Sequence, residues 1–203
     1  MSLNQQILLL EKFSNKKVIL EDEDTIFKPT HLTDNRQEKY KQKIFRLLQQ
    51  EVIEGDLNLR NLGFITNLGN VKLVERSLSL ENTSITSLPE GLIVEGNLYL
   101  SGTLITSLPK RLKVKGNLDL SDTPITSLSK GLKIGKSLNL SDTPITSLPE
   151  ELKVKGNLDL QNTKITSLPE GLKVEGYLWL YNTPISQNPK LLEKYKKIYK
   201  IIV

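Results

Sequence analysis

The chain has 203 residues, a formal charge of +5 and no cysteine. The absence of cysteine excludes a disulfide framework, a thiolate metal site and a cysteine nucleophile. The positive charge is local, because residues 77–187 carry 11 basic and 11 acidic side chains, whereas residues 188–203 carry five lysines and one glutamate. Charge confined to a short tail disfavours a basic groove for nucleic acid along the chain.

Residues 1–51 are predicted to form a small N-terminal α/β cap. Residues 5–13 are expected to form a short helix and residues 17–21 a strand. Residues 34–51 are rich in helix formers, with Asp34 as the expected N-cap. Their apolar side chains fall on one stripe that would cover the next part of the chain: Tyr40, Ile44, Leu47 and Leu48. A separate effector module is the alternative for this segment.

Targeting signals are not evident near the N-terminus. The first apolar run, residues 7–10, has four residues, whereas a signal peptide needs about 7–15. Nothing in the chain approaches the roughly 20 apolar residues that a membrane span requires. We therefore expect no membrane span and a cytoplasmic location.

From Ser77 the chain repeats itself every twenty residues. Residues 97–116 (NLYLSGTLITSLPKRLKVKG) and 137–156 (SLNLSDTPITSLPEELKVKG) show the pattern, and a partial copy begins at Tyr177. Residues 52–76 form a degenerate first copy, in which Leu57 precedes Leu78 by 21 residues. A fixed period of this size is typical of a solenoid, in which each repeat is one turn stacked on the last.

Each repeat contains two segments in which apolar and polar residues alternate. In one repeat these are residues 112–114 (LKV) and 118–120 (LDL). Alternation with a period of two predicts β-strands with leucine and valine inward, one on each side of the turn. Gly116 between the segments would permit a kink. We therefore expect a β-rich solenoid of about six to seven turns over residues 52–187, in which no turn folds without its neighbours.

The pattern L-P-x-x-L-x-V-x-G-x-L-x-L-x-x-T-x-I-x-x resembles the leucine-rich-repeat family over residues 52–187. It is most similar to the short twenty-residue bacterial type of enteric effector proteins, and it looks like repeat arrays common in bacteriophage-encoded proteins. The resemblance implies partner binding through the strand face, in a bacterial or phage protein that modulates a host factor. In the phage case, the location would be the host cytoplasm.

The chain departs from that family at one column of the repeat. The family usually has asparagine where this chain has threonine, beginning with Thr83 and ending with Thr183. A threonine offers one hydroxyl where an asparagine amide offers two donors and an acceptor. We expect these hydroxyls to bond along the stack, and we expect a straighter solenoid than the usual horseshoe.

Residues 188–203 are predicted to form a capping helix and tail. Asn188 would be the N-cap and Pro189 the first helical residue. The apolar residues form one stripe, which continues to the end of the chain: Leu191, Leu192, Tyr195, Ile198, Tyr199 and Ile202. Lysines take the remaining positions, so docking of a basic amphipathic helix on a membrane or a partner is the alternative.

One outward column varies from repeat to repeat while the inward columns scarcely change. We predict that this column and the aromatic residues beside its last member bind a protein partner: Tyr99, Asp119, Asn139, Asp159, Tyr177, Trp179 and Tyr181. Aromatic side chains are favoured anchors of protein interfaces. The opposing interpretation is that the C-terminal helix folds back and covers Trp179.

A second outward column is basic and could bind an anion: Lys113, Lys133, Lys153 and Lys173. The alternative is that these charges protect the sheet from stacking on other sheets. Neither this column nor any other predicts catalysis. His31 is the only histidine, so a triad or a zinc site lacks its ligands, and carboxylates on an open face are poor acid–base groups.

The sequence therefore predicts a non-enzymatic interaction scaffold with no catalytic residue, no cofactor and no metal. Its expected partner is a protein, and the chain is expected to be monomeric or weakly self-associating. Binding of nucleic acid or another anion by the lysine column and the basic C-terminal helix is the first alternative. A structural, self-assembling solenoid component is the second.

Overall fold

The computed structural model describes residues 34–203, and side chains from Gln37 onward. The helix expected at 5–13, the strand at 17–21 and His31 lie outside the described residues. Asp34, the predicted N-cap, is the first residue of a helix, and its side chain is not among those described. Helix α1 (Asp34–Leu47) opens the described part, and helix α2 (Pro189–Lys196) lies near its end. Between them the chain winds through short strands that lie on two sides of a parallel β-solenoid.

We call one side of the solenoid the lysine side. Its strands each have two residues: β1 (Val52–Ile53), β3 (Leu73–Val74), β5 (Ile93–Val94), β7 (Lys113–Val114), β9 (Lys133–Ile134), β11 (Lys153–Val154) and β13 (Lys173–Val174).

We call the other side the variable side. Its strands are β2 (Leu57–Asn58), β4 (Leu78–Ser79), β6 (Leu98–Tyr99), β8 (Leu118–Asp119), β10 (Leu138–Asn139), β12 (Leu158–Asp159), β14 (Tyr177–Trp179) and β15 (Lys200–Ile202).

The strand pairs among residues 34–203 are all parallel, and those within the repeats follow the repeat period. Leu98 pairs with Leu118 and Leu118 with Leu138, a step of twenty residues, while Leu57 pairs with Leu78 across the predicted step of 21. The variable side is one eight-stranded sheet, because β15 pairs with β14 as an eighth rung. The expected six to seven turns were therefore an undercount, and the extra rung comes from the C-terminal segment.

Residues 200–202 correct the predicted C-terminal helix. Helix α2 begins with the expected cap, since the side-chain Oδ1 of Asn188 accepts a hydrogen bond from the Leu191 N–H at 3.2 Å. It ends at Lys196, and the segment from Lys200 to Ile202 forms a strand. The reason is that β14 offers an open edge of backbone donors and acceptors, which a parallel strand satisfies and a helix cannot.

The core is a column of aliphatic side chains between the two sides. Inward residues are buried, as the alternation predicted; in one turn these are Leu112, Val114, Leu118, Leu120 and Ile125. Val174 in the last strand of the lysine side is only partly buried. The same positions are buried in the neighbouring turns and form one continuous cluster. Burial of apolar surface between turns is what a single turn lacks, and it stabilises the stack as a unit.

The buried threonine column bonds within each turn and not along the stack, which corrects the expectation. Each hydroxyl donates to the carbonyl oxygen of the leucine three residues earlier, at 2.6–2.8 Å; the donors are Thr83, Thr103, Thr123, Thr143, Thr163 and Thr183. The residue before each threonine has a φ of 52–67°: Asn82, Gly102, Asp122, Asp142, Asn162 and Asn182. Asn61, which precedes Leu62 at the same position of the first turn, has a φ of 60°. Asparagine, aspartate and glycine tolerate this left-handed conformation best.

Side-chain oxygens link successive turns at the corner before each variable-side strand. The backbone N–H of each turn donates to the side-chain oxygen of the preceding turn at 2.9–3.2 Å, and the acceptors are Ser77, Asn97, Asn117, Ser137 and Asn157. This explains why the repeats begin with asparagine or serine. At this corner, side-chain oxygens accept the backbone hydrogen bonds that continue the ladder between turns.

Neighbouring turns approach each other closely at the same corner, and glycine there avoids a steric clash. A Cβ on Gly96 would lie 2.7 Å from the Arg76 carbonyl carbon, and one on Gly116 would lie 2.7 Å from that of Gly96. In the fourth turn the glycine comes one residue early, at Gly135, with Lys136 in the usual glycine position. The ladder of the lysine side is interrupted just after it, between β9 and β11.

Helices close both ends of the core. At the N-terminal end, Ile44 and Leu48 of the predicted stripe are buried, with Tyr40 and Leu47 packed against them; burial raises the pKa of Tyr40. Phe45 stacks edge-on against Phe64 of the first turn, with ring centroids 6.1 Å apart.

At the C-terminal end, two tyrosines close the core. The hydroxyl oxygen of Tyr195 accepts from the Leu168 N–H at 3.0 Å, and the hydroxyl of Tyr199 donates to the Leu172 carbonyl at 3.1 Å. Burial, and secondarily the neighbouring Tyr195, raise the pKa of Tyr199.

We expect Gly96→Ala to lower the free energy of unfolding by about 2 kcal/mol, because the new methyl overlaps backbone that belongs to the stack. Urea denaturation followed by circular dichroism measures this. Gly63→Ala is the matched control, since a Cβ there meets nothing within 4 Å. Equal midpoints for the two variants would contradict the close-approach argument.

We expect Thr123→Val to destabilise the fold by about 1–3 kcal/mol, because it leaves the Leu120 carbonyl oxygen buried without its hydroxyl donor. Thr123→Ser keeps the donor and loses one methyl group, which costs about 0.8 kcal/mol. Thermal unfolding of both variants beside the unaltered chain measures the difference. A valine variant as stable as the unaltered chain would show that this hydrogen bond contributes nothing.

Candidate partner-binding surface

The structure brings the predicted partner-binding column together on the variable side. Tyr99 lies beside Asp119, Asp119 beside Asn139, Asn139 beside Asp159, and Asp159 beside Trp179, each on adjacent parallel strands. Such neighbours are about 4.8 Å apart. All five side chains are half-buried, so the column is a shallow surface and not a cleft.

The polar side chains of this column form hydrogen bonds within their own turns. Oδ1 of Asp119 accepts from the N–H and the hydroxyl of Ser121, at 3.0 and 2.8 Å. Asp159 accepts from the N–H and side-chain amide of Gln161. Asn139 accepts from the Ser141 N–H at 3.0 Å. These bonds hold the backbone as it leaves each strand, so the variation among aspartate and asparagine has a structural cause.

Tyr99 is held in a similar way. Its hydroxyl oxygen accepts from the side-chain amide of Asn97 at 2.9 Å, and the ring is half-buried. It lies four rungs from Trp179 along the sheet, which is about 19 Å at the usual strand spacing. Tyr99 therefore does not share one contact area with the C-terminal aromatic residues.

Aromatic side chains at the C-terminal end stay open to solvent. Tyr177 is 50% exposed and Tyr181 is 61% exposed, while Trp179 between them is half-buried. Tyr177 and Trp179, two residues apart on strand β14, lie on one face of it, and Tyr181 follows in the turn after the strand. Their neighbour on the outer rung is Ile202, which pairs with Trp179 and is 37% exposed. We call these four residues the aromatic patch.

The C-terminal segment flanks the aromatic patch and leaves the two tyrosines open. Helix α2 packs elsewhere, because Tyr195 and Tyr199 bond to Leu168 and Leu172 at the end of the core. Sequence reasoning missed Ile202 as a member, since it placed this residue on a helical stripe. The signal that could have found it is the short β-branched run Ile201-Ile202-Val203, which is typical of a strand.

The apolar face of helix α2 is used within the molecule. Tyr195 is buried, and Leu191 and Leu192 are half-buried. Ile198, which was predicted to lie on the same stripe, is 62% exposed because the helix ends before it. The geometry supports the capping role of α2 more than docking on a membrane. Within residues 34–203, no helix is long and apolar enough to cross a membrane.

The predicted basic column lies on the lysine side, and its four side chains are exposed. Lys113 pairs with Lys133 and Lys153 with Lys173, each in register. Backbone pairing is interrupted between β9 and β11, but these two strands remain neighbours in the stack. The four lysines therefore occupy the same position of four successive turns.

The described residues show no constellation with metal-binding geometry. Across residues 34–203, no three histidine, cysteine, aspartate or glutamate side chains come close enough to hold a metal ion. Burial raises the pKa of Tyr40 and of Tyr199. Both tyrosines belong to the caps of the core and not to the candidate surface.

No protein-family model matches this chain, and no curated protein matches it.

We expect Asp119→Ala to lower the free energy of unfolding by about 1 kcal/mol, because Ser121 loses the oxygen that accepts its N–H and hydroxyl. Asp119→Asn keeps an oxygen in place and should cost less than half as much. Chemical denaturation of both variants measures this. If Asp119→Ala is as stable as the unaltered chain, these hydrogen bonds do not stabilise the fold, and Asp119 would again be a candidate for contact with a partner.

Proposed function

We propose that this protein is a non-enzymatic scaffold of the leucine-rich-repeat type that binds a protein partner through the aromatic patch. The observation that carries the proposal is the exposure of two tyrosines beside Trp179, with Tyr177 on strand β14 and Tyr181 two residues beyond its end. Free aromatic rings rarely cluster on a surface without use, and such rings anchor many protein interfaces.

Binding is expected at one end of the variable side, at the aromatic patch, and not along the whole column. Asp119, Asn139 and Asp159 already accept hydrogen bonds from their own turns, so they are not the main contacts of a partner. The tyrosines combine a large apolar ring with a hydroxyl that can pair with a partner's backbone. Because β14 and β15 hold the patch on a ladder, a partner meets a surface whose backbone is already ordered.

The source, the cellular location and the oligomeric state are part of the same proposal. A bacterial or phage chain of this type would act in the cytoplasm, as a monomer or weak self-associate, and would modulate a host factor by occupying its surface. Support comes from the repeat pattern and from the shallow, open character of the variable side, which suits a macromolecular surface better than a small substrate.

The test compares Tyr177→Ala/Tyr181→Ala with Lys153→Ala/Lys173→Ala, a matched double change on the lysine side. Both pairs are exposed, so both variants should keep the fold, which thermal unfolding confirms. Bacterial lysate is passed over the immobilised unaltered chain and both variants, and the captured protein is then purified. We expect the tyrosine variant to bind that purified protein at least tenfold more weakly, and the lysine variant to bind it unchanged.

Position-specific crosslinking sharpens the result. A photoreactive residue at Tyr181 should crosslink the purified partner, while the same residue at Thr126, exposed on another part of the turn, should not. Undiminished binding by the tyrosine variant, or crosslinking from Thr126 alone, would contradict the proposed patch.

A further inference from the structure

Positive charge is concentrated on the lysine side of two adjacent turns. Residues 109–116 of the third turn carry four cations and no carboxylate, and residues 129–136 of the fourth turn carry three cations and no carboxylate. The corresponding stretch of the second turn, residues 89–96, carries two carboxylates and no cation. In the fifth turn, residues 149–156 carry two of each. The overall neutrality of the repeats hides this local basic area.

The two basic turns border a groove of about 410 Å³. It is lined by Gly91, Lys110, Arg111, Leu112, Lys113, Gly131 and Lys133. We call this the basic groove.

Arg111 occupies a column where the turns before and after it have glycine, at Gly91 and Gly131. A Cβ added to either glycine would meet nothing within 4 Å. Open space therefore lies on both sides of the arginine backbone, where a ligand can reach the guanidinium.

The cations of the groove lack partners within the described part of the chain. Lys115 at its border pairs with Glu95 of the second turn. None of the ion pairs among residues 34–203 involves Lys110, Arg111, Lys113 or Lys133. Lys113 and Lys133 lie in register on adjacent strands, where like charges repel each other. An anion placed between them would relieve that repulsion and gain charge-assisted hydrogen bonds.

The charge pattern also limits the size of the anion. Along the solenoid axis, Glu90 lies one repeat before Lys110, and Glu150 and Glu151 lie one repeat after Lys130 and Gly131. The cationic stretch thus spans two rungs, or about 10 Å. A long polyanion running along the axis would meet carboxylates at both ends. A ligand with two or three neighbouring phosphates would fit between them.

We propose that the basic groove binds a compact polyphosphate, a small molecule that carries two or three linked phosphate groups. Arg111 would bind one phosphate with two parallel N–H donors, while Lys113 and Lys133 would neutralise a second from the adjacent rungs. Lys153 and Lys173 are outside this site, because each has two carboxylates near it in sequence: Glu150 and Glu151 beside Lys153, and Glu170 and Glu175 beside Lys173. The site lies on the lysine side and is independent of the aromatic patch.

The test is calorimetric titration of the full chain with inorganic tripolyphosphate in about 50 mM NaCl, where surface charges are only partly screened. We expect one molecule bound per chain. Arg111→Ala/Lys113→Ala should weaken binding at least tenfold. Lys153→Ala/Lys173→Ala removes the same number of charges from the same side, and we expect it to weaken binding less than twofold. Thermal unfolding confirms that both variants fold.

Three results would overturn the proposal. Equal weakening in the two variants would show a diffuse ionic effect and no site. Tighter binding of an oligothymidylate of about 20 nucleotides than of tripolyphosphate, lost in Arg111→Ala/Lys113→Ala, would make a nucleic-acid backbone the occupant. Absence of tripolyphosphate binding to the full chain under these conditions would show that the groove is not a polyphosphate site.

Discussion

Every feature of this protein depends on the spacing of neighbouring turns, which parallel ladders hold at about 4.8 Å. A turn of twenty residues buries too little apolar surface to fold alone, so it must stack on the next turn in register. That requirement places leucine and isoleucine inward at the same positions of every turn. It also brings backbones so close at one corner that Gly96 and Gly116 leave no room for a side chain. The repeat in the sequence is the direct expression of this packing.

Polar groups complete the stack where regular strands cannot. Strands of two or three residues leave most of each turn outside the ladders, and buried backbone groups need partners. The threonine column supplies a donor to a leucine carbonyl inside each turn. Asparagine and serine at the corner supply acceptors to the following turn. A left-handed residue before each threonine reverses the chain, as at Asp122. These positions look like surface residues in the sequence, yet they belong to the framework.

Candidate functional surfaces therefore lie where the packing of the turns does not explain the residue that is present. The aromatic patch is one departure, because no ladder or cap requires the rings of Tyr177 and Tyr181 to be exposed. The basic groove is the other, because Arg111 stands between two turns that have glycine in its place. The two sites lie on different sides of the solenoid. A partner on one therefore leaves the other accessible, and the two proposals can be tested separately.

The sequence by itself determined the solenoid, its two strands per turn, the inward residues and the cap at Asn188, because these follow from a period of twenty and from local backbone chemistry. Only the tertiary structure decided what the outward residues do. It showed that Asp119 and Asp159 bond to their own turns and that the strand ladder of the lysine side is interrupted after the early glycine, Gly135. It also showed that the segment around Ile202 pairs as a strand. The physical reason is that spacing along one chain predicts which side a residue faces. Hydrogen-bond partners, open edges and neighbouring charges are set by the turns stacked on either side.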